Sequence, residues 1–384
     1  MAVYSWGFGK YGQLGNGLTA SAETPQFVKL PKSSPLQISC GAHFTLLLCE
    51  IEAKDGTKKR QIFACGWGKH GRLGTGSEED HTHPTELVLR DTPVQVSAGF
   101  WHAACITSEG QLYAWGYNRS HNVLGMIKEA SPFETVPVQV PIECGVRFNQ
   151  VACGYNYTYA IASDGSCWSW GTGAHGVLGH GDTLERTSPT KIDIPGGNAI
   201  SFVGCGYSHV AVVTSDGMLL MAGRGADGAL GLGGKSDRNK LSHVTGLDGI
   251  AIAKASCSLG ERHAHTLACT IDGHIYSWGD GYKGKLGLGS QESKELPTKI
   301  NPSSFGGECV ISVVCGGIHS AAVTREGGVF TWGCGSDGRL GHPEAKGHRY
   351  LFRSDVPRRV EGLPSNCIAV DCSYYHTAAL SCDI

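Results

Sequence analysis

The sequence predicts an all-β fold, a seven-bladed β-propeller of antiparallel sheets closed by the N-terminal strand, which completes the last blade. Three observations predict it. A Trp-Gly segment recurs seven times, a Cys-Gly strand recurs between its copies, and glycine supplies 56 of the 384 residues. Repeats of roughly 40–50 residues that contain only short strands pack radially as blades. We therefore expect residues 1–384 to form one propeller domain of seven repeats.

The first element of the repeat is a strand followed by a glycine-rich turn. Its first copy reads VYSWGFGKYGQLG and its last reads VFTWGCGSDGRLG. The seven copies share one anchor position, which is occupied by Trp6, Cys65, Trp115, Trp170, Ala222, Trp278 and Trp332. A large apolar side chain at one position of each short strand is typical of a blade core.

Two further elements complete each repeat. A proline-led apolar segment follows the turn in six copies, at Pro25, Pro84, Pro137, Pro189, Pro297 and Pro357, and Leu241 stands in the remaining copy. A Cys-Gly strand such as VCGGIHSAAV comes next. Acidic-Gly dipeptides then lead into the following Trp-Gly strand, at Asp55-Gly56, Glu109-Gly110, Asp164-Gly165, Asp216-Gly217, Asp272-Gly273 and Glu326-Gly327. Asp-Gly between two apolar runs is a strong hairpin signal.

The two ends of the chain complement each other. The seventh Cys-Gly strand ends at Leu380, and no Trp-Gly strand follows it, whereas the chain opens with a Trp-Gly strand. We therefore expect the N-terminal strand to complete the last blade and to close the ring without a covalent bond. Deletion of residues 1–8 should then collapse the thermal stability.

Composition excludes several classes of protein. The formal net charge of −2 argues against a nucleic-acid partner bound by phosphate neutralisation. The N-terminus lacks a basic region followed by an apolar run, and no stretch approaches the ~20 apolar residues of a membrane helix. Sixteen cysteines without a secretion signal indicate reduced thiols. We expect a cytoplasmic or nuclear protein that is not secreted and binds neither nucleic acid nor membranes.

Two motifs resemble cofactor or metal sites and are interpreted as structural. Gly-x-Gly-x-x-Gly occurs six times, but a dinucleotide fingerprint must open a helix, whereas a turn and another strand follow here. A cysteine occupies one shared position in six repeats, as Cys40, Cys153, Cys205, Cys257, Cys315 and Cys372, and Ala98 is the exception. The sequence contains no Cys-x-x-Cys pair. Free cysteine behaves as a small buried hydrophobe. The sequence therefore predicts no metal, no cofactor and no catalytic residues.

A histidine also recurs at one position of the repeat. It appears as His102, His209, His265, His319 and His376, with Phe44 and Tyr157 in the other copies. A catalytic histidine needs a nucleophile or an orienting acid beside it, and no such residue recurs. We expect these side chains to hydrogen-bond a neighbouring strand and to lock the turn.

The loop between the Cys-Gly and the histidine is the candidate binding surface. A propeller gathers equivalent loops around one end of its axis, and loops on a rigid scaffold often carry function. Tyrosine, tryptophan and arginine are enriched in protein-binding hot spots. The candidate protein-binding residues are His43, Phe100, Trp101, Tyr155, Asn156, Tyr207, Glu261, Arg262, Tyr374 and Tyr375. The alternative is that these rings cover the funnel and contact only one another. Insertions at 51–61 and 342–356 are secondary candidates.

The motifs Tyr-x-Trp-Gly-x-Gly-x-x-Gly-x-Leu-Gly, Cys-Gly-x-x-His-Thr and Asp-Gly recur in register over essentially the whole chain. This pattern resembles the regulator-of-chromosome-condensation repeat family. The resemblance implies a seven-bladed propeller. It leaves the function open, because the family includes a nucleotide-exchange factor, an ultraviolet photoreceptor and interaction domains of large ligases.

Two functions therefore remain open for the chain. The first is a non-catalytic module that binds partner proteins through the aromatic loops. The second is a guanine-nucleotide exchange factor for a small GTPase, Ran-like or other, which needs no covalent chemistry because it only stabilises the nucleotide-free GTPase.

The sequence departs from both specialised relatives in these loops. The Ran exchange factor carries acidic residues there, whereas Glu261 is the only carboxylate in the equivalent loops of this chain. The photoreceptor places tryptophan directly after the glycine, whereas Trp101 stands one position later and alone. We therefore expect no coupled tryptophan cluster.

Overall fold

The computed structural model describes residues 1–31, 33–52, 56–118, 121–126, 131–143, 145–343 and 352–382. Within these ranges, seven antiparallel sheets of four strands each surround one axis, and we number them as blades along the chain. This arrangement confirms the predicted seven-bladed propeller.

The strand bounds are as follows. Blade 1 contains β3 (Ser33–Cys40), β4 (Phe44–Glu52), β5 (Lys58–Gly66) and β6 (His81–Glu86). Blade 2 contains β7 (Pro93–Ala98), β8 (His102–Thr107), β9 (Leu112–Tyr117) and β10 (Phe133–Gln139). Blade 3 contains β11 (Phe148–Cys153), β12 (Tyr157–Ala162), β13 (Cys167–Gly171) and β14 (Arg186–Lys191). Blade 4 contains β15 (Ile200–Cys205), β16 (His209–Thr214), β17 (Leu219–Gly223) and β18 (Arg238–His243).

The remaining blades follow the same order. Blade 5 contains β19 (Ile252–Cys257), β20 (His265–Thr270), β21 (Ile275–Gly279) and β22 (Lys294–Lys299). Blade 6 contains β23 (Val310–Cys315), β24 (His319–Thr324), β25 (Val329–Cys334) and β26 (Arg353–Arg359). Blade 7 contains β27 (Cys367–Cys372), β28 (His376–Ser381), β1 (Ala2–Gly7) and β2 (Ala22–Val28). Helical segments of the described ranges are short 3₁₀ turns at Lys69–Gly71, Ala174–Gly176, Pro195–Gly197, Ala226–Gly228, Thr245–Leu247, Tyr282–Gly284, Pro302–Phe305 and Ser336–Gly338.

The chain ends meet in blade 7, as the sequence predicts. Strand β1 pairs antiparallel with β28, and Val3 lies opposite Leu380 in that register. Trp6 on β1 is fully buried. The N-terminal strand therefore closes the ring through backbone pairing and through a buried indole.

In five of the seven blades, an anchor tryptophan joins the blade to the preceding one. Trp6, Trp115, Trp170, Trp278 and Trp332 are all fully buried. Each indole Nε1 donates to a turn carbonyl of the preceding blade, such as Trp170 to Val123 O at 2.8 Å and Trp115 to Arg72 O at 3.0 Å. A buried indole that keeps its N–H paired packs without the cost of an unsatisfied polar group.

The recurring histidines form a second set of inter-blade bonds, which confirms their structural interpretation. The five Nε2 atoms lie 2.8–3.1 Å from a hydroxyl of the next blade, in the pairs His102–Thr158, His209–Thr266, His265–Ser320, His319–Thr377 and His376–Thr45. Each hydroxyl donates its single proton to a turn carbonyl, as Thr158 does to Val123 O at 3.1 Å. The hydroxyl must therefore accept from the imidazole, and these histidines carry their proton on Nε2.

The two blades without this histidine also lack the hydroxyl on the next blade. Phe44 of blade 1 is followed by Ala103 at the corresponding position of blade 2, and both belong to one apolar cluster. Tyr157 of blade 3 is followed by Val210 of blade 4, again within one cluster. At both junctions the histidine and its hydroxyl partner are missing together. Neither a buried imidazole nor a buried hydroxyl of such a pair is therefore left without its partner.

The glycine-rich turns are structural, as predicted. Gly71 has a positive φ of +70°, and a Cβ at Gly68 would lie 1.9 Å from the Glu79 carbonyl oxygen. The third glycine thus supplies a left-handed backbone, and the second permits close backbone approach. The helical part of this motif is the three-residue 3₁₀ turn Lys69–Gly71, which offers no helix N-terminus to a phosphate.

Two repeat elements differ in detail from their predicted form. The prolines do not lead the outer strands but lie inside them, as Pro25 does within β2. Because β2 and its counterparts are sheet edges, the missing N–H removes no ladder bond. The insertion at 51–61 does extend a hairpin, since β4 and β5 have nine residues each. Asp55 and residues 344–351 lie outside the described residues.

The shared cysteine position packs against protein, as predicted. Cys40, Cys153, Cys257, Cys315 and Cys372 are buried, and Cys205 is partly buried. Burial raises the pKa of the Cys153 thiol to about 12, so the thiol stays protonated and unreactive. In the described part of the chain, no three His, Cys, Asp or Glu side chains are grouped to hold a metal ion, and no helix has the length and apolar character to cross a membrane.

Candidate protein-binding face

The loops that carry the candidate residues are tight turns with a fixed backbone. Gly99 N donates to His102 O at 2.9 Å, and Gly154 N donates to Tyr157 O at the same distance. Each turn therefore holds two central residues away from the sheet, as it holds Phe100 and Trp101 in blade 2. The recurring Gly and His positions thus decide which side chains reach this end of the propeller.

A second loop of each blade is bonded to the first. Trp67 N donates to His43 O at 2.9 Å, and Phe8 N donates to Tyr375 O at 3.0 Å. The residue that follows the anchor residue and its glycine therefore lies beside the loop between the Cys-Gly and the recurring histidine position. The candidate face is built from both loops, whereas the sequence analysis considered only one of them.

The structure brings most of the candidate aromatic rings together on this face. Ring contacts run continuously from blade 7 through blade 1 to blade 4, and all members are neither fully buried nor fully exposed. We name this series the aromatic arc, and its members are Tyr374, Tyr375, Phe8, Tyr11, His43, Trp67, Trp101, Phe100, Tyr155 and Tyr207.

Stacked ring pairs occur in both halves of the aromatic arc. His43 stacks on Tyr375 with ring centroids 4.5 Å apart. Tyr155 stacks on Tyr207 at 4.0 Å. Phe100 then meets Tyr155 edge-on at 4.9 Å. Such pairs add about 0.5–1.5 kcal/mol beyond burial alone, so the rings are preorganised on the face.

Three predicted residues lie outside the aromatic arc. Glu261 and Arg262 are exposed in the extended loop of blade 5, where Arg224 Nη1 donates to the Glu261 carbonyl at 2.9 Å. Asn156 is partly buried, and its carbonyl accepts from Thr172 N. The nearby Glu261 carboxylate adds to burial and to Tyr155 in raising the pKa of Tyr207. The charged loop thus borders the tyrosine end of the arc.

The sequence analysis missed Phe8, Tyr11, Trp67 and Arg72. The signal was available, because the residue after the anchor residue and its glycine is aromatic in three neighbouring repeats, as Phe8, Trp67 and Tyr117. Trp101 is the only tryptophan of the compared loops, but its ring lies 6.1 Å from that of Trp67. Trp67 arrives from the second loop of the preceding blade, which the one-loop comparison did not include.

Arg72 lies against both of these indoles. Its guanidinium carbon is 4.3 Å from the Trp67 ring centroid and 4.6 Å from that of Trp101. Burial lowers the pKa of Arg72 to about 9, and together with the Arg72 charge it lowers the pKa of His43 to about 4. His43 is therefore neutral at physiological pH, and Arg72 supplies the positive charge beneath this part of the aromatic arc.

Sequence comparisons place the fold among known proteins. A family model described as the RCC1-like domain matches residues 2–309, and models of the regulator of chromosome condensation (RCC1) repeat match residues 310–339 and 326–380. The chain is 31% identical over 366 residues to the ultraviolet-B receptor UVR8 of Arabidopsis thaliana, covering 94% of this chain and 78% of the receptor. It is 28% identical to the human E3 ubiquitin-protein ligase HERC2, covering 99% of this chain but 8% of the ligase.

Solved structures share the fold at lower sequence identity. Human WBSCR16 superposes with a TM-score of 0.86 at 24% identity, over all of both chains. Prp20p of Saccharomyces cerevisiae superposes with a TM-score of 0.83 at 22% identity, over all of this chain and 92% of Prp20p. With the family-model matches, these observations show that the chain belongs to the family of RCC1-like propellers built from RCC1 repeats.

Proposed function

We propose that this protein is a non-catalytic interaction propeller that binds partner proteins through the aromatic arc. The observation that carries the proposal is the continuous series of partly exposed rings across five blades. Rigid aromatic side chains bury a large area at little entropic cost, which makes them efficient binding anchors.

The rings have a structural role as well, because they contact one another over the funnel. The two roles are compatible, since hot-spot residues are usually held in place by their neighbours before the partner arrives. The binding role also requires that part of each ring is accessible to a partner, and Trp101 and Tyr155 are both partly exposed.

A double variant, Trp101→Ala with Tyr155→Ala, tests the proposal in a pull-down from cell extract. We expect loss of the partners that the wild-type protein retains, while the circular dichroism spectrum is unchanged. The matched control is Phe27→Ala with Val88→Ala, which removes exposed apolar side chains that do not belong to the arc. Retention of every partner by the arc variant would place the recognition surface elsewhere.

A second candidate function is guanine-nucleotide exchange on a small GTPase. The fold similarity to Prp20p supports it, because that protein is described by its binding to Gsp1p and to histones. Exchange requires only tighter binding of the nucleotide-free GTPase, so the lack of a catalytic constellation does not oppose it. Release of fluorescent GDP from a panel of small GTPases distinguishes the two functions. Faster GDP release from one GTPase in the presence of the protein favours exchange, and an unchanged release rate for every GTPase favours the interaction module.

We propose a reducing compartment, the cytoplasm or the nucleus, as the location of the protein. The described cysteines are free thiols, and most of them are buried. Disulfides persist in oxidising compartments and are rare in the cytosol and nucleus. Fluorescence microscopy of a tagged full chain tests this placement.

A further inference from the structure

One position of the repeat carries a cation in three blades, as Arg72, Lys285 and Arg339, each directly before the Leu-Gly pair of the turn. Two of these cations are fully partnered. Arg339 donates Nε to Ser336 O at 2.8 Å and Nη1 to Tyr374 O at 2.9 Å, and its Nη2 pairs with Asp337. Lys285 forms an ion pair with Asp280. These contacts show that a cation with a structural role at this position has hydrogen-bond or ion-pair partners within the chain.

Arg72 differs from both of its counterparts. It has no exposed surface, and its Nε donates to Lys69 O at 2.8 Å. Its Nη1 and Nη2 have no hydrogen-bond partner among the described residues. Asp80 interacts with it through space, but one oxygen of that carboxylate accepts from Gly68 N at 2.8 Å. The two indole rings lie against the guanidinium and supply no acceptor.

A buried guanidinium with two unpaired nitrogens is costly. Valine occupies the same repeat position as Val123 and Val177, so the turn itself does not need the charge. An arginine with two unpaired nitrogens at this place, beneath the proposed binding face, therefore indicates a hydrogen-bond acceptor that comes from another molecule.

We infer that Arg72 is a carboxylate-binding site for an Asp or Glu side chain of a partner protein; this inference rests on the proposed interaction function. The two free Nη atoms match the two oxygens of a carboxylate, which can accept a pair of parallel hydrogen bonds. Trp67 and Trp101 lie 4.3 and 4.6 Å from the guanidinium carbon, so a carboxylate that reaches the Nη atoms is flanked by apolar rings, which favours a small group of single charge. A phosphate dianion would bring a second negative charge that one guanidinium does not neutralise.

The geometry also indicates how the carboxylate enters. Trp67 is stacked on Tyr11 at 4.8 Å with an interplanar angle of 18°. Trp101 is tilted against Phe100 at 5.0 Å and against Trp67 at 6.1 Å, and it has no stacked partner among these contacts. Trp101 also contacts His70 at 6.5 Å and Tyr117 at 6.4 Å, but neither contact is stacked. Since only Trp67 has a stacked partner, we expect Trp101 to be the indole that moves aside and then closes over the bound carboxylate.

A random dodecapeptide library displayed on phage, panned on the full wild-type chain, provides the probe. We expect the enriched peptides to share one acidic residue beside apolar residues. Replacing that Glu by Gln, or Asp by Asn, should weaken binding to the wild-type protein about tenfold or more, because a charged hydrogen-bonded pair is lost. The same replacement should leave binding to Arg72→Val unchanged.

Two further variants complete the test. Lys10→Gln removes a positive charge from an exposed side chain and keeps Arg72, so it should retain the preference for the acid. If Arg72→Val fails to fold, Arg72→Lys replaces it, because lysine keeps the charge and lacks the two parallel donors. The Glu-to-Gln penalty should then fall to about threefold or less.

The outcomes separate this inference from the proposed function. Enriched peptides without an acidic consensus, or an equal Glu-to-Gln penalty in wild-type and Arg72 variants, would show that Arg72 is a structural cation satisfied by water. Peptides that bind the Trp101→Ala, Tyr155→Ala variant as tightly as the wild type would contradict the proposed binding face itself.

Discussion

The imidazole Nε2 of His102 and the hydroxyl of Thr158 lie 2.9 Å apart across the junction between blades 2 and 3. The same relationship recurs at four more junctions, and it is absent where Phe44 precedes Ala103 and where Tyr157 precedes Val210. The chain thus contains both the polar and the apolar version of one inter-blade contact.

This internal comparison predicts the result of a double-mutant cycle at His102 and Thr158. Thr158→Ala alone leaves the buried imidazole N–H without an acceptor and should cost about 1–3 kcal/mol of unfolding free energy. His102→Phe alone should cost a similar amount. The double variant reproduces the Phe44–Ala103 combination, so it should cost at least about 1 kcal/mol less than the sum of the single variants. Denaturant unfolding measures all four, and strict additivity would show that the bond contributes nothing.

The same histidines predict sensitivity to acid. Burial lowers the pKa of His102 to about 3 and that of His209 to about 4. The unfolded value is near 6.5, so the unfolded chain binds more protons and stability falls as the pH drops below about 6.5. At pH 5 each such histidine should cost about 2 kcal/mol relative to pH 7.5. Melting temperatures at the two pH values should differ less in His102→Phe than in wild type, and an identical pH dependence would refute this cause.

Asp371 has the opposite effect on the pH dependence of stability. It occupies a position on β27 where Ser39 and Ser97 stand in other blades, and it faces the central channel. Its carboxylate accepts from Cys40 N at 2.7 Å, which joins blade 7 to blade 1. Burial raises the pKa of Asp371 to about 7, whereas the unfolded value is near 4. The stability that the neutral carboxyl contributes is present below about pH 4 and is lost as the pH rises through 7.

Asp371→Ser should therefore stabilise the protein at pH 8. Serine keeps an acceptor for the Cys40 N–H, as Ser39 Oγ does for Ala98 N at 2.9 Å, and removes the buried charge. We expect a gain of about 1–2 kcal/mol at pH 8 that shrinks by pH 5. Denaturant titrations at both pH values measure it. A variant that is less stable than the wild type at pH 8 would mean that the ionised carboxylate strengthens the junction.

Ring closure by β1 predicts a large effect of removing residues 1–8. The deletion removes two strand pairings of blade 7 and the buried Trp6 side chain. Loss of a buried tryptophan alone costs about 3–5 kcal/mol. Calorimetry should show a fall in melting temperature of more than about 10 °C, whereas Tyr4→Ala, which trims a partly buried ring, should cost far less. A deletion variant with an unchanged melting temperature would contradict ring closure.

Much of the fold could be predicted from the sequence because its signals are local and repeated seven times. The Trp-Gly strand, the Cys-Gly strand and the glycine turns each recur at a fixed position of the repeat. Each of them indicates the local backbone conformation from a few adjacent residues. The partnership of His102 with Thr158 was less accessible, because the two residues are 56 positions apart and only the blade packing brings them together.

The binding face was predicted only in part, for a similar reason. Trp101 and Tyr155 belong to the same loop of their repeats and are found by comparing repeats. Arg72 and Trp67 belong to a different loop, and their approach to Trp101 depends on how adjacent blades pack. The sequence also gives no sign that Arg339 is fully hydrogen-bonded while Arg72 is not, because that difference follows from the local contacts of each blade.

Site-specific photo-crosslinking tests the central claim most directly, which is that the aromatic arc contacts other proteins. A benzophenone amino acid replaces Tyr207 in the arc or, as the control, the exposed Phe27 on the outer strand β2. After irradiation in cell extract, we predict adducts with other proteins from position 207 that are absent from position 27. The same adducts from both positions, or none from position 207 while the protein remains folded, would contradict the account.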